Sequence, residues 1–159
     1  LPASKFWLKG EKIVQIVSSV ARVLLGIVFT AFGLNGFLHF IPMGPPPTGF
    51  AEQYLGALEM SHYLTVVFAF EVVAGILLLV NRYVPLALTT LAAIIVNILL
   101  FHILMAPAGL SPAVFVAMLW IGSVWNVRSA FAGLLQSRVT SQNAEPSAAV
   151  GGTWVVARQ

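Results

Sequence analysis

Four long apolar stretches, separated by short polar interruptions, dominate the chain. They run from about Ile13 to Ile41, Tyr63 to Val80, Val84 to Met105, and Pro112 to about Leu135. Each is long enough to cross ~30 Å of hydrocarbon, which takes roughly 20 helical residues. The first exceeds that length, so it predicts a tilted helix or an amphipathic start on the membrane surface. Pro85 and Pro112 fall at first-turn positions, where a missing N–H does no harm, and Ser111 is placed to cap the fourth helix. Pro107 and Gly109 close the third helix. The turn Asn81-Arg82-Tyr83 is so short that the helices on either side of it must be antiparallel neighbours. The pattern predicts an all-α fold, a four-transmembrane-helix bundle.

The one long connection runs from Pro42 to His62. Pro45-Pro46-Pro47 predicts a stiff, extended stretch. Phe50, Tyr54 and Leu58 then recur every fourth residue, as in a short interfacial helix within the first external loop. Such a helix would cover the bundle mouth. The chain therefore divides into an N-terminal segment (1–12), a membrane domain (13–135) and a polar tail (136–159). The tail is rich in small residues and ends near Trp154, which predicts docking on a partner subunit.

Composition agrees with this reading. Apolar residues make up 59% of the chain and charged ones 8%, with a mean hydropathy of +0.95. An ordinary soluble domain is about one-quarter charged. The chain has no cysteine, which excludes disulfides, thiol nucleophiles and Cys-based metal sites. The net charge of +3 reflects topology and does not predict nucleic-acid binding. Lys5, Lys9 and Lys12 precede the first span, Arg82 lies in the second connection, and Arg128 and Arg138 mark the end of the fourth. The first and third connections have no Lys or Arg, so both termini are expected in the cytoplasm. The first apolar run is too long for a cleavable signal peptide.

Candidate chemistry is confined to a few polar residues within the spans. Glu71 is the only acid between Glu59 and Glu145 and sits in the middle of an apolar run. A carboxylate at that depth costs a few kcal/mol to insert, so it must be paired, protonated or beside a wet cavity. With Arg22, Asn35, His39, Asn97 and His102 it predicts a polar seam through the central and outer part of the bundle. A structural reading pairs Glu71 with Arg22, or hydrogen-bonds it to Asn97, to fix helix register. A functional reading makes Glu71 and His102 a proton relay beside a quinone headgroup. Asn97 and His102 lie ~140° apart around their helix and cannot both face one neighbour. His39 and His102 are the one pair worth considering for axial haem ligation, but their spacing matches no attachment motif, so a haem or other tetrapyrrole is not expected. No metal-ligand spacing is present. Gly26, Thr30 and Gly33 form a small-residue stripe that Ala74 or Gly75 could meet from the second span.

The run from Arg22, RVLLGIVFTAFGLNG, and the run from Phe70, FEVVAGILLLVNRYVPLALTTLAAIIVNILLFHIL, followed by APAGL, resemble the DoxX-like membrane proteins. The resemblance covers about Val20 to Leu135. It implies a four-helix bundle in a prokaryotic cytoplasmic membrane, with Arg22, Glu71, Asn97 and His102 as candidate positions. Asn35 and His39 stand where such proteins often carry a Lys or other polar residue. Some DoxX-like proteins are subunits of quinone-reducing thiosulfate oxidoreductases, and others are linked to thiol-redox complexes. Two functions are expected on this basis. One is an accessory, non-catalytic subunit of a larger membrane redox or photosynthetic complex, contacting lipid and other membrane subunits. The other is a quinone-linked oxidoreductase component. No cofactor is encoded by the residues themselves; a quinone or a lipid is the expected ligand.

Overall fold

The computed structural model describes residues 3–42 and 44–132. The tail beyond them, with Arg138 and Trp154, lies outside the described residues, and so does the docking role expected of it.

Five α-helices and one 3-10 turn make up the described chain: α1 (Ala3–Leu38), α2 (Phe50–Met60), α3 (Tyr63–Leu79), α4 (Val84–Leu104), the 3-10 turn Pro107–Gly109, and α5 (Leu110–Phe131). The all-α expectation holds. The apolar part of α1 (Gly10–Leu38), α4, and α5 with its preceding turn are each long and apolar enough to cross a membrane. The α2–α3 pair, bent by 82°, makes a fourth span when taken as one broken unit. Alone, α3 has 17 residues, the short end of the range for a crossing helix.

Around the bundle, α1 packs on α3 and α5, and α4 completes the ring by packing on α3 and α5. The α3–α4 and α4–α5 pairs are joined by tight connections, whereas α1 reaches α3 through the long segment that carries α2. Asn81 and Tyr83 absorb the α3–α4 reversal with φ of 56° and 50°. Leu25, Leu78, Leu88 and Leu91 are fully enclosed and form the centre of the core. Many large apolar side chains point outward instead, among them Ile27, Val73, Ile76, Leu86, Val96 and Ile121. In water so much exposed hydrocarbon would drive aggregation; in a bilayer it is the lipid contact surface. The protein is a multi-pass membrane protein in architecture.

Small residues set the closest helix pair. A Cβ on Gly75 of α3 would lie 2.8 Å from the Thr30 backbone nitrogen and 2.9 Å from the Gly26 carbonyl oxygen, both on α1. Hydrocarbon offers helices no hydrophobic drive to associate, so backbone proximity supplies the packing energy. Elsewhere Trp120 of α5 donates from Nε1 to the Leu88 carbonyl of α4 at 2.8 Å, and Ser18 of α1 donates to the Ser123 carbonyl of α5 at 3.4 Å.

Two boundaries differ from expectation. The first helix stops at Leu38, short of Ile41, because His39 takes a left-handed φ of 52° and Asn35 grips the backbone of Ile41 beyond it. The last helix begins at Leu110, so Ser111 lies inside its first turn and is not its cap.

Candidate functional site

The structure divides the expected polar seam into three unrelated places. Arg22 is half-buried and donates from a guanidinium nitrogen to the Asn81 side-chain oxygen in the α3–α4 turn. Glu71 lies ten positions before Asn81, about 15 Å along an α-helix at ~1.5 Å per residue. The expected Arg22–Glu71 ion pair is therefore replaced by an Arg22–Asn81 contact at one end of the bundle. The depth of Arg22 decides this: it is level with the turn, and Glu71 is level with Gly33, further along α1.

Asn35 is buried at the other end and is consumed locally. Its Oδ1 accepts from the Ile41 N–H at 2.6 Å, and its Nδ2 donates to the Ile41 carbonyl at 3.3 Å. His39 donates its backbone N–H to the Asn35 carbonyl at 2.9 Å and leaves its side chain exposed. The two residues terminate α1 and hold the chain that follows. Neither lines the cavity at which the remaining candidates meet.

That cavity, about 350 Å³, lies between α2, the first half of α3 and the second half of α4. Glu71, Asn97 and His102 all line it. Glu71 is on the α3 face that also meets α1, and only 7% of its surface is accessible. Among the described residues its carboxylate takes no side-chain hydrogen bond, yet neither oxygen is sealed off in the packed interior. The Glu71 side chain forms part of the cavity wall. Asn97 accepts from the Tyr54 hydroxyl at 3.4 Å. His102 turns Nδ1 to the Ala106 carbonyl at 3.0 Å; a carbonyl only accepts, so that nitrogen carries the proton. The ~140° separation of Asn97 and His102 is accommodated because each serves a different partner.

The roof comes from α2, which folds back over the cavity at Ser61-His62, with His62 in a left-handed conformation of φ 57°. Its inward side is Ala51, Tyr54, Leu55 and Leu58, whereas Phe50 is 82% exposed, so the expected stripe is displaced at its start. Tyr54 stacks on Phe101 with ring centroids 5.9 Å apart and planes at 28°. Phe68 and Tyr63 add aromatic wall from α3. Sequence reading placed α2 as a cover but missed Tyr54 and Phe101 as site residues. The repeat Phe50, Tyr54, Leu58 was the one signal for Tyr54, and nothing distinguished Phe101 from the other apolar residues of α4.

No protein-family model, characterised protein or solved structure shows a significant match to this chain. No group of three or more His, Asp or Glu side chains is arranged to hold a metal among the described residues.

Proposed function

We propose that this is a DoxX-like component of a prokaryotic cytoplasmic membrane, with both termini cytoplasmic, that binds a lipophilic small molecule by its polar head inside the bundle. The observation that carries the proposal is the 350 Å³ cavity on which Glu71, Tyr54 and Asn97 converge within aromatic walls. Pockets with a few convergent polar groups in a mostly apolar lining are the usual form of small-molecule sites. On this reading it acts as an accessory subunit of a larger membrane complex, where any cysteine-based redox centre would lie on a partner because this chain carries no cysteine.

A quinone-linked redox component is the second reading, favoured by one observation: Glu71 and His102 line the same cavity. In that reading a partner supplies electrons and the two side chains exchange protons with the bound headgroup.

Filling the cavity tests the proposal. Val67 lines it one helical turn before Glu71 and is half-buried. The wild type and Val67→Trp are purified in lipid nanodiscs, and the small molecules extracted from each are compared by mass spectrometry. The expected result is a compound enriched with the wild type and lost from Val67→Trp, with unchanged helical content. Equal recovery from both would refute binding in this cavity. Glu71→Gln separates the second reading: retained ligand with lost quinone-dependent turnover of the complex supports it, and unchanged turnover overturns it.

A further inference from the structure

We infer that the cavity recognises an organic cation: a lipophilic ammonium or amidinium compound whose charged head sits between Glu71 and the aromatic wall. The inference rests on the reading of this cavity as a small-molecule site and names the class of its ligand.

Three features of the cavity carry it. First, Glu71 presents a carboxylate with no hydrogen-bond partner among the described residues. Ionising it there without a counter-charge is costly, and a cationic ligand offsets that cost. The bundle's own intramembrane cation, Arg22, is engaged with Asn81 about 15 Å away, by the ~1.5 Å rise of the ten residues between.

Second, the walls are aromatic. Tyr54 and Phe101 are stacked with centroids 5.9 Å apart, and Phe68 lies on the Glu71 side. Ring faces attract ammonium groups electrostatically, the more so when both are desolvated. A carboxylate combined with aromatic faces suits a diffuse, poorly hydrated cation better than a metal ion, which needs several oxygen ligands.

Third, the free hydrogen-bonding capacity is weighted toward acceptors. In the ionised form that a bound cation selects, the Glu71 carboxyl only accepts. The Tyr54 hydroxyl proton is already directed at Asn97 Oδ1, which leaves the Asn97 amide N–H₂ as a free donor beside it. A neutral ligand bearing carbonyl acceptors finds few donors here. One bearing N–H groups or a fixed positive charge finds its complement. Asn97 and Ala93 are exposed along α4, so a ligand can enter sideways from the membrane.

The test uses two matched probes: benzyldodecyldimethylammonium and its neutral isostere, in which carbon replaces the quaternary nitrogen. Radiolabelled forms are titrated against the full chain in phosphatidylcholine nanodiscs, with uptake by empty nanodiscs subtracted. The cation is expected to bind the wild type at least tenfold more tightly than the isostere. Glu71→Gln should abolish that preference, with unchanged helical content showing an intact fold. Glu71→Asp, which retains the charge, should keep a preference of the same sign. Equal binding of both probes, each excluded by Val67→Trp, overturns the cation inference and leaves the cavity reading standing. Binding of neither probe, with a co-purifying compound still lost on Val67→Trp, has the same consequence. Binding of neither probe, with no effect of Val67→Trp on co-purifying compounds, overturns both.

Discussion

Truncating Tyr54 to alanine should open the cavity, by an amount the geometry bounds. The side chain ties α2 to α4 twice, through the Phe101 stack at 5.9 Å and the hydroxyl bond to Asn97 at 3.4 Å. A well-oriented aromatic pair contributes about 0.5–1.5 kcal/mol beyond its buried area. The hydroxyl bond is long, which places it near the lower part of the usual net range, about 0.5–1 kcal/mol. Together they hold the closed arrangement by about 1–2.5 kcal/mol. At a tenfold change per ~1.4 kcal/mol, Tyr54→Ala raises the open population roughly 5- to 60-fold. The chain has no cysteine, so one introduced at Ile98, a half-buried cavity residue, reports opening without background. Maleimide labelling of Ile98→Cys in nanodiscs should accelerate by that factor in the Tyr54→Ala background. In Tyr54→Phe, which keeps the ring, the gain should be about fivefold at most, the share of the hydroxyl bond alone. A labelling rate within twofold of the parent in Tyr54→Ala would refute the assignment of Tyr54 as the tie that holds α2 closed.

Packing predictions separate the enclosed positions from the lipid-facing ones. Gly75→Val places a Cβ within 3 Å of α1 backbone atoms at Gly26 and Thr30, which side-chain rotation cannot relieve; a loss of about 1–3 kcal/mol or more is expected, read as a lower midpoint of unfolding in sodium dodecyl sulfate. Gly56→Ala, where nothing lies within 4 Å of the new Cβ, should leave that midpoint unchanged or slightly raised. Trp120→Phe loses the 2.8 Å bond to the Leu88 carbonyl and should cost about 0.5–1.5 kcal/mol in the same assay, whereas Trp125→Phe, at an exposed position, should cost nothing measurable.

The helices were legible because length and apolarity alone separate a membrane span from other elements. The faces were legible only where residue size marked them. Gly26, Thr30 and Gly33 did meet Gly75 and its neighbours, because a close backbone crossing admits few other residues. Polar side chains could not be assigned in the same way. The depth of Arg22 depends on where α1 enters the membrane, and an apolar run that begins near Ile13 and is longer than a span needs fits several depths equally well. Asn35 was placed at the correct end, but its partner is the backbone of a chain reversal six residues on, which no spacing rule announces. The cavity was hidden for a different reason. Its roof exists only because α2 folds back through 82°, bringing Tyr54 to Asn97 across 43 residues of chain.

These polar residues fall into two groups by whether a neighbouring group of the chain holds them. Asn35 uses its oxygen and its amide group on one peptide unit, and Arg22 is tied to a turn residue through one terminal guanidinium nitrogen, its buried Nε finding no partner among the described residues. Both are costly in hydrocarbon without a partner, and the partner each one has fixes where a helix ends or where a turn sits. Glu71 is as deeply placed, yet the fold surrounds it with space and aromatic rings while the nearest cation on α1 is held at the far end of α3. A bundle that needed Glu71 only for register could have set it against Arg22, or replaced it with a packed apolar residue at no loss of stability. Keeping the carboxyl group, separating it from the Arg22 guanidinium and placing it on a cavity beneath α2 is the arrangement expected when the counter-charge arrives from outside the chain.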